Sequence, residues 1–481
     1  MWKELKNNEL FDTVIKTIMK KRSSDTISRK KFLKVLGNVA TTSAGLVYGC
    51  NSNNQTLSNN SDNKATNIST GKMEYRVNPN TGDKVSLLGY GCMRLPMKTN
   101  EQDDEIDQEA FNELVDYAIA HGVNYFDTSP AYTGGFSERS LGIALKRYPR
   151  EKYFIATKMS NFHPDSKTKE ASIALYHRSL KELQVDYIDY YLLHALGLGS
   201  FAEFNTRFIE NGIFDFLLKE REEGRIRNLG WSFHGDVAVF DYLIAMDVKW
   251  DFALIQLNYV DWKHASGINV NAEYLYKQLA KHGVPVMIME PLLGGRLAKL
   301  NYDSSQMLKQ QQPGASVASW AFRFAGALPN VLTVLSGMTY KEHLVDNLRT
   351  YSSLNPLNDK EKAMLEEVAQ MILKYPLIFC TECDYCMPCP YGVDIPNIFA
   401  HFNRCITEGN FPKDLQDENY RKARRAFLIG YDRSVPKLRQ ANHCIGCEKC
   451  IPTCPQRLNI PNEMARIDKF VEELKQSAAT I

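Results

Sequence analysis

The sequence predicts an α/β protein: a (β/α)8 barrel of the TIM type, followed by a smaller helical domain that carries two cysteine runs. Three observations predict it. Between about Val85 and Thr350, short β-branched and aromatic runs alternate eight times with amphipathic helical stretches. Polar residues recur at the C-terminal ends of those runs, where a barrel builds its site. Beyond them, eight cysteines fall in two evenly spaced groups.

Composition narrows the function classes first. The 481 residues include 58 basic and 56 acidic side chains, so no net charge draws the chain onto nucleic acid. No apolar stretch reaches the ~18 residues of a spanning helix. In the N-terminal stretch, Trp2, Leu5, Phe11, Val14, Ile15 and Ile18 lie near helical spacing. Ser28-Arg29-Lys30-Lys31-Phe32-Leu33-Lys34 then precedes a weakly apolar run to Val47. That arrangement is similar to a twin-arginine export signal with lysine at the second arginine. Val47-Tyr48-Gly49-Cys50 resembles a lipoprotein cleavage box, so lipidation of Cys50 is the one expected membrane attachment. Asn51 to Gly71 is rich in Asn, Ser and Thr, the composition of a tether. The expected order is an export-signal-like segment (1–50), a disordered linker (51–72), the barrel (73–355) and the cysteine domain (356–481). The periplasm or cell envelope is the expected location, with the cytoplasm as alternative.

The barrel strands read as 85–91, Asn124–Asp127, Tyr153–Lys158, Ile188–His194, Asn228–Ser232, Ala253–Asn258, Val284–Glu290 and Val331–Ser336. Helices are expected between them, at 109–121, 137–147, 172–184, 213–223 and 272–282. An open doubly wound sheet is the competing architecture, but no Gly-x-Gly-x-x-Gly follows the first strand.

In the last domain, Cys380-x2-Cys383-x2-Cys386-x2-Cys389-Pro390 is answered by Cys444-x2-Cys447-x2-Cys450-x3-Cys454-Pro455. Three thiolates at every third position can wrap one four-iron cubane, and the fourth, before proline, is free to reach the other cluster. Eight cysteines thus account for two [4Fe–4S] clusters. Zinc would need only two pairs per site, leaving the third cysteine and the Cys-Pro of each run unexplained. Helical spacing at 395–408, 420–429 and 462–476 fills the space between and after the runs.

Asp127 closes the second strand, Lys158 the third and His194 the fourth, and Tyr132 follows Asp127 by five positions. Such a set can deliver a proton to a carbonyl oxygen. Tyr132 is the expected acid, Lys158 its tuner toward a lower pKa, Asp127 the anchor of that lysine, and His194 the group that orients the carbonyl.

Asn124-Tyr125-Phe126-Asp127-Thr128-Ser129-Pro130-Ala131-Tyr132, with Ser137-Glu138 and Leu141-Gly142 after it, resembles the signature of the aldo-keto reductase family. Ala156-Thr157-Lys158 and Leu192-Leu193-His194 match two further catalytic stations of that family. The resemblance implies NADP or NAD lying across the barrel mouth and a small-molecule carbonyl substrate, with Asp127, Tyr132, Lys158 and His194 as catalytic tetrad. Ser232 and Gln256 would face the carboxamide. Pro291, Leu292, Gly294, Gly295, Arg296 and Leu297 would face the pyrophosphate, and Ser336, Asp346 and Asn347 the adenosine end. With the cysteine runs, the chain resembles the ferredoxin-fused bacterial members, whose last domain is an α-helical ferredoxin module. Phe233, Met289, Gly337 and His343 depart from the family pattern at the cofactor positions, which leaves NADH and NADPH both open. No flavin fingerprint is present to join hydride and one-electron chemistry. The alternative reading is an electron-transfer protein: the clusters exchange electrons with a redox partner, and the barrel takes no free NAD(P)H.

Overall fold

The computed structural model describes residues 72–98, 105–265, 269–413 and 415–477. The export-like segment, the Cys50 box and the tether lie outside the described residues.

A short antiparallel hairpin, β1 (Tyr75–Val77) and β2 (Lys84–Ser86), precedes eight parallel strands. These are β3 (Leu88–Gly91), β4 (Tyr125–Asp127), β5 (Phe154–Met159), β6 (Ile188–Leu196), β7 (Ile226–Phe233), β8 (Phe252–Gln256), β9 (Val286–Met289) and β10 (Val331–Ser336). They close in sequence order, with β10 pairing both β9 and β3. The run expected as one strand over 85–91 is therefore two pieces that part at Leu87. Val85 pairs with Arg76 in the hairpin, whereas Leu88 pairs with Val334 in the barrel.

The strands are buried on both faces, as a barrel ringed by helices requires. Tyr125, Ala156, Tyr190, Leu192, Phe252, Leu254 and Met287 belong to one core cluster. A larger cluster, including Phe111, Leu141, Tyr176, Leu217, Trp231 and Phe240, joins the strands to the surrounding helices. Local sequence sets the helix starts. Asp107 accepts the Ala110 N–H at the head of Gln108–Ala120, and Thr168 accepts the Ala171 N–H before Lys169–Leu183.

The hairpin end forms the floor. There Tyr190 donates to Asp83 (2.8 Å), Asn228 donates to Asp83 (3.1 Å), and Asn78 donates to Asn228 (3.2 Å). At the opposite rim, parallel register brings Asp127 level with Ala156, Lys158 with Leu192 and Gln256 with Met289. Consecutive strands thus present polar ends to one mouth.

The helix Asp359–Leu373 lies within the span expected for the cysteine domain, but its buried face belongs to the barrel layer. Leu365, Val368, Ala369 and Ile372 pack with Leu297, Leu308 and Trp320, and Arg323 pairs with Glu361 at 2.9 Å. The second core begins at Ile378. That core gathers Ile398, Phe399, Phe402, Phe427, Met464, Ile467 and Val471 from the helices Ile395–Thr407, Tyr420–Ser434 and Ile460–Gln476. Among the described residues no helix is long and apolar enough to cross a membrane.

Candidate active site

Asp127 and Lys158 meet under the mouth. Lys158 Nζ donates to Asp127 Oδ1 at 2.6 Å and to the Thr128 carbonyl at 2.7 Å. Both side chains are buried; burial pushes the carboxyl up and the ammonium down, and their mutual contact opposes both shifts. Tyr132 lies beside them, with Lys158 Nζ 4.8 Å from its ring centroid. From its position in the sequence, Lys158 is expected to lower the phenol. Here burial, followed by the Asp127 charge, holds Tyr132 well above its ordinary value, while the ammonium is engaged by Asp127 and the Thr128 carbonyl. Tyr132 therefore carries its proton at neutral pH, the state a general acid needs.

His194 reaches the mouth through a register shift between Leu193 and Leu196, and Ala195 adopts a φ of 55°. A bulge of this kind re-aims a side chain. The ring is held from behind: Ser160 Oγ is 2.6 Å from Nδ1, leaving Nε2 facing the cavity. Arg207, itself buried, donates to the His194 carbonyl at 2.8 Å and lies 4.6 Å over the Phe162 ring. Burial, then Lys158 and Arg207, pushes His194 well below its usual range, so the imidazole is neutral. Tyr132 and His194 stand edge to face with ring centroids 6.0 Å apart.

Of the expected cofactor residues, Ser232, Pro291, Leu292, Gly294, Gly295 and Ser336 line the same cavity, of about 170 Å3, whereas Gln256, Arg296, Leu297, Asp346 and Asn347 do not, and most of the polar ones are already engaged. Ser232 Oγ accepts the Ala195 N–H at 2.8 Å. Gln256 donates to Asp261 at 2.7 Å and accepts from Gln456 Nε2 at 3.0 Å. Asn347 donates to Ser336 at 2.8 Å, and Asp346 accepts from Ser316 at 2.6 Å. In the Pro291–Leu297 loop, Gly294 has φ +68°, and a Cβ there would stand 2.6 Å from Thr381 Cα. Arg296 donates to the Ile378 carbonyl at 3.2 Å, its guanidinium 4.6 Å over the Phe379 ring. Pro291 and Leu292 line the cavity with Gly295, while Leu297 is buried in the core beneath.

The cysteines fall into two sets. Cys380, Cys383, Cys386 and Cys454 line one cavity with Phe399 and Leu458. Cys450 lies in the field of Cys444, Cys447 and Cys389. The last cysteine of each run thus stands with the first three of the other. Among the described residues no three His, Cys, Asp or Glu side chains close on a point as a single ion requires. Cys380, Cys383, Cys386 and Cys454 face one shared space instead. Burial pushes Cys380 and Cys383 up to about 12, so a bound cation is what would hold them as thiolates. The Glu382 N–H already points at Cys380 Sγ, 3.3 Å away. Cys92 and Cys405 are buried outside both sets.

Several residues of this site were not found from the sequence. Ser160, two places after Lys158, could have been, as a polar strand-end residue. Tyr385, Thr381 and Gln456 could not, because they belong to the cysteine domain. The Tyr385 hydroxyl is 3.4 Å from His194 Nε2 and lies against Tyr132.

The aldo/keto reductase family model matches residues 87–370, more than half the chain and ending before the first cysteine run. L-galactose dehydrogenase of Arabidopsis thaliana is 27% identical over 315 residues, 61% of this chain and 93% of that protein. A probable aldo-keto reductase 1 of Glycine max is 34% identical over 157 residues, 31% of this chain and 42% of that protein. Among solved structures, the holo aldo-keto reductase AKR11C1 of Bacillus halodurans superposes with a TM-score of 0.50 at 23% identity. It spans 62% of this chain and 96% of its own, and shows the shared barrel fold. The chain is an oxidoreductase that belongs to the aldo/keto reductase family.

Proposed function

We propose that the barrel interconverts a small-molecule carbonyl and its alcohol, with Tyr132 as the general acid, and that the eight cysteines hold two [4Fe–4S] clusters. One observation carries the reading: the Tyr132 hydroxyl and the neutral His194 Nε2 face the same point beside a buried Asp127–Lys158 pair. A carbonyl oxygen at that point would accept from both groups. As negative charge grows on it, the Tyr132 proton transfers, leaving a phenolate whose nearby cation is the Lys158 ammonium, 4.8 Å from the ring centroid. Asp127 keeps that ammonium in place. Ser160 and Arg207 hold the imidazole so that it orients the substrate.

NADP or NAD is the hydride donor that family membership suggests. Bound clusters would supply one-electron carriers, held by Cys380, Cys383, Cys386 and Cys454 and by Cys389, Cys444, Cys447 and Cys450. Sugar carbonyls are natural first substrates, because the Arabidopsis relative is named for L-galactose and a yeast relative, 30% identical over 163 residues, for D-arabinose. The test is Tyr132→Phe in anaerobically purified protein, assayed with a panel of aldoses, aldehydes and ketones beside an iron determination. Turnover should fall by at least ~10²-fold with about eight iron atoms per chain retained. Unchanged turnover in the mutant removes Tyr132 from the reaction. Zinc in place of iron removes the clusters.

A further inference from the structure

We infer that the cysteine domain is the barrel's own ligand in the dinucleotide groove, so that the docked domain and free NAD(P) bind exclusively of one another. The inference rests on the family reading for the identity of the groove and deepens it by naming what fills it.

Three positions are taken at once. At the carboxamide station, the Gln456 side-chain amide bonds Gln256 as a ligand amide would, with Nε2 donating at 3.0 Å. Along the pyrophosphate loop, Thr381 rests on Gly294 at a separation that leaves no room for a side chain, still less for a phosphate. Arg296, the cation of that loop, is engaged by the Ile378 carbonyl and the Phe379 ring. At the reacting centre, the Tyr385 oxygen occupies the place between Tyr132 and His194 Nε2 that a carbonyl oxygen would take.

The barrel also withholds what an anion would seek. A glycine-rich loop binds phosphate with free backbone N–H groups. Here the Gly294 N–H donates to Glu290 Oε2 at 2.5 Å, so a half-buried carboxyl group already takes one of that loop's N–H groups. The domain is clamped across the mouth. Arg94 donates to the Thr381 carbonyl, Arg457 to the Gly197 and Gly199 carbonyls, and Lys299 pairs with Glu408 at 2.6 Å. A tethered occupant acts at an effective concentration in the mM range. An occupant whose own intrinsic affinity is micromolar would thus weaken a free dinucleotide about 10³-fold.

Equilibrium dialysis of NADPH and NADH against the cluster-replete full chain tests this, beside hydrogen exchange of 378–385 and 454–457. The wild type should bind neither dinucleotide below about 1 mM, with both segments protected. Gln456→Ala combined with Arg457→Ala alters only the occupant. It should raise exchange in both segments and tighten dinucleotide binding at least about tenfold. If that pair of changes leaves the segments protected, iron removal by a chelator provides the second route to opening. Micromolar binding by the wild type with both segments protected overturns the inference. So does an opened domain with no gain in binding, because the groove itself would then be the obstacle. Binding and exchange are read rather than turnover, so a Tyr132→Phe result against the carbonyl reading leaves these outcomes standing.

Discussion

Both ends of the barrel are closed by polar side chains from outside the eight strands, yet the two closures differ in kind. At the floor, Asn78, Asp83, Tyr190 and Asn228 bond one another, and none of the four leaves a buried polar atom without a partner. At the mouth, Asp127 Oδ2 and His234 Nδ1 are buried without one, in residues that line the cavity. A satisfied network holds structure together, whereas unsatisfied groups beside a space mark where something else is meant to bind. Polar burial alone would not have told the ends apart.

Breaking the buried pair at the mouth should give the largest effect. Lys158→Met leaves Asp127 without its cation in a site that is 3% exposed at that residue. The loss should be about 3–5 kcal/mol of stability, with turnover down at least ~10²-fold. Denaturant titration and a carbonyl assay read the two separately. A variant as stable as wild type would mean that Asp127 takes up a proton without penalty, and the mouth would then resemble the floor.

What the sequence could reveal follows the same division. Asp127, Lys158, His194, Ser232, Gln256 and Ser336 were legible because parallel register puts every strand's C-terminal end on one rim. The cysteine sets were legible from spacing, since the crossed assignment of Cys389 and Cys454 is a local geometric rule. The break at Leu87 was not, because no proline or charged residue interrupts Val85–Gly91 there. The helix Asp359–Leu373 is amphipathic, but amphipathicity says that a face is buried, not against which core. Tyr385 and Gln456 carried no signal, because their partners lie 191 and 200 residues away and depend on docking of one domain on the other. The effect of Lys158 on Tyr132 was misjudged for a related reason. How far the site is desolvated is set by what covers it.

A third probe lies on the flank between the two ends. Glu138 accepts from Thr157 at 2.5 Å and is 1% exposed, and burial raises it to about 7 from 4.5. The folded chain therefore holds this proton more tightly than the unfolded chain. The stability it contributes is fully present below pH 4.5 and is lost as pH rises through about 7. The change is on the order of 3 kcal/mol across that window. Glu138→Gln should flatten the fall in unfolding free energy measured between pH 5 and 8 by denaturant titration. A slope that persists in the mutant would assign the proton uptake elsewhere and make this flank as inert as the floor.

Tyr190→Phe at the floor should do least, which makes it the sharpest control on the comparison. It removes the 2.8 Å hydrogen bond to Asp83, but that carboxylate keeps Asn228 and is partly open to water. The cost should be about 1 kcal/mol, a fall in Tm of roughly 2 °C for a chain of this size. kcat/KM should stay within about twofold, because nothing at the floor touches the reacting atoms. If kcat/KM instead fell tenfold with Tm unchanged, the floor would be coupled to the mouth through Tyr125. That ring stands edge-on to Tyr190 with centroids 5.2 Å apart, two residues before Asp127. Satisfied hydrogen bonding would then no longer distinguish a structural end of this barrel from a working one.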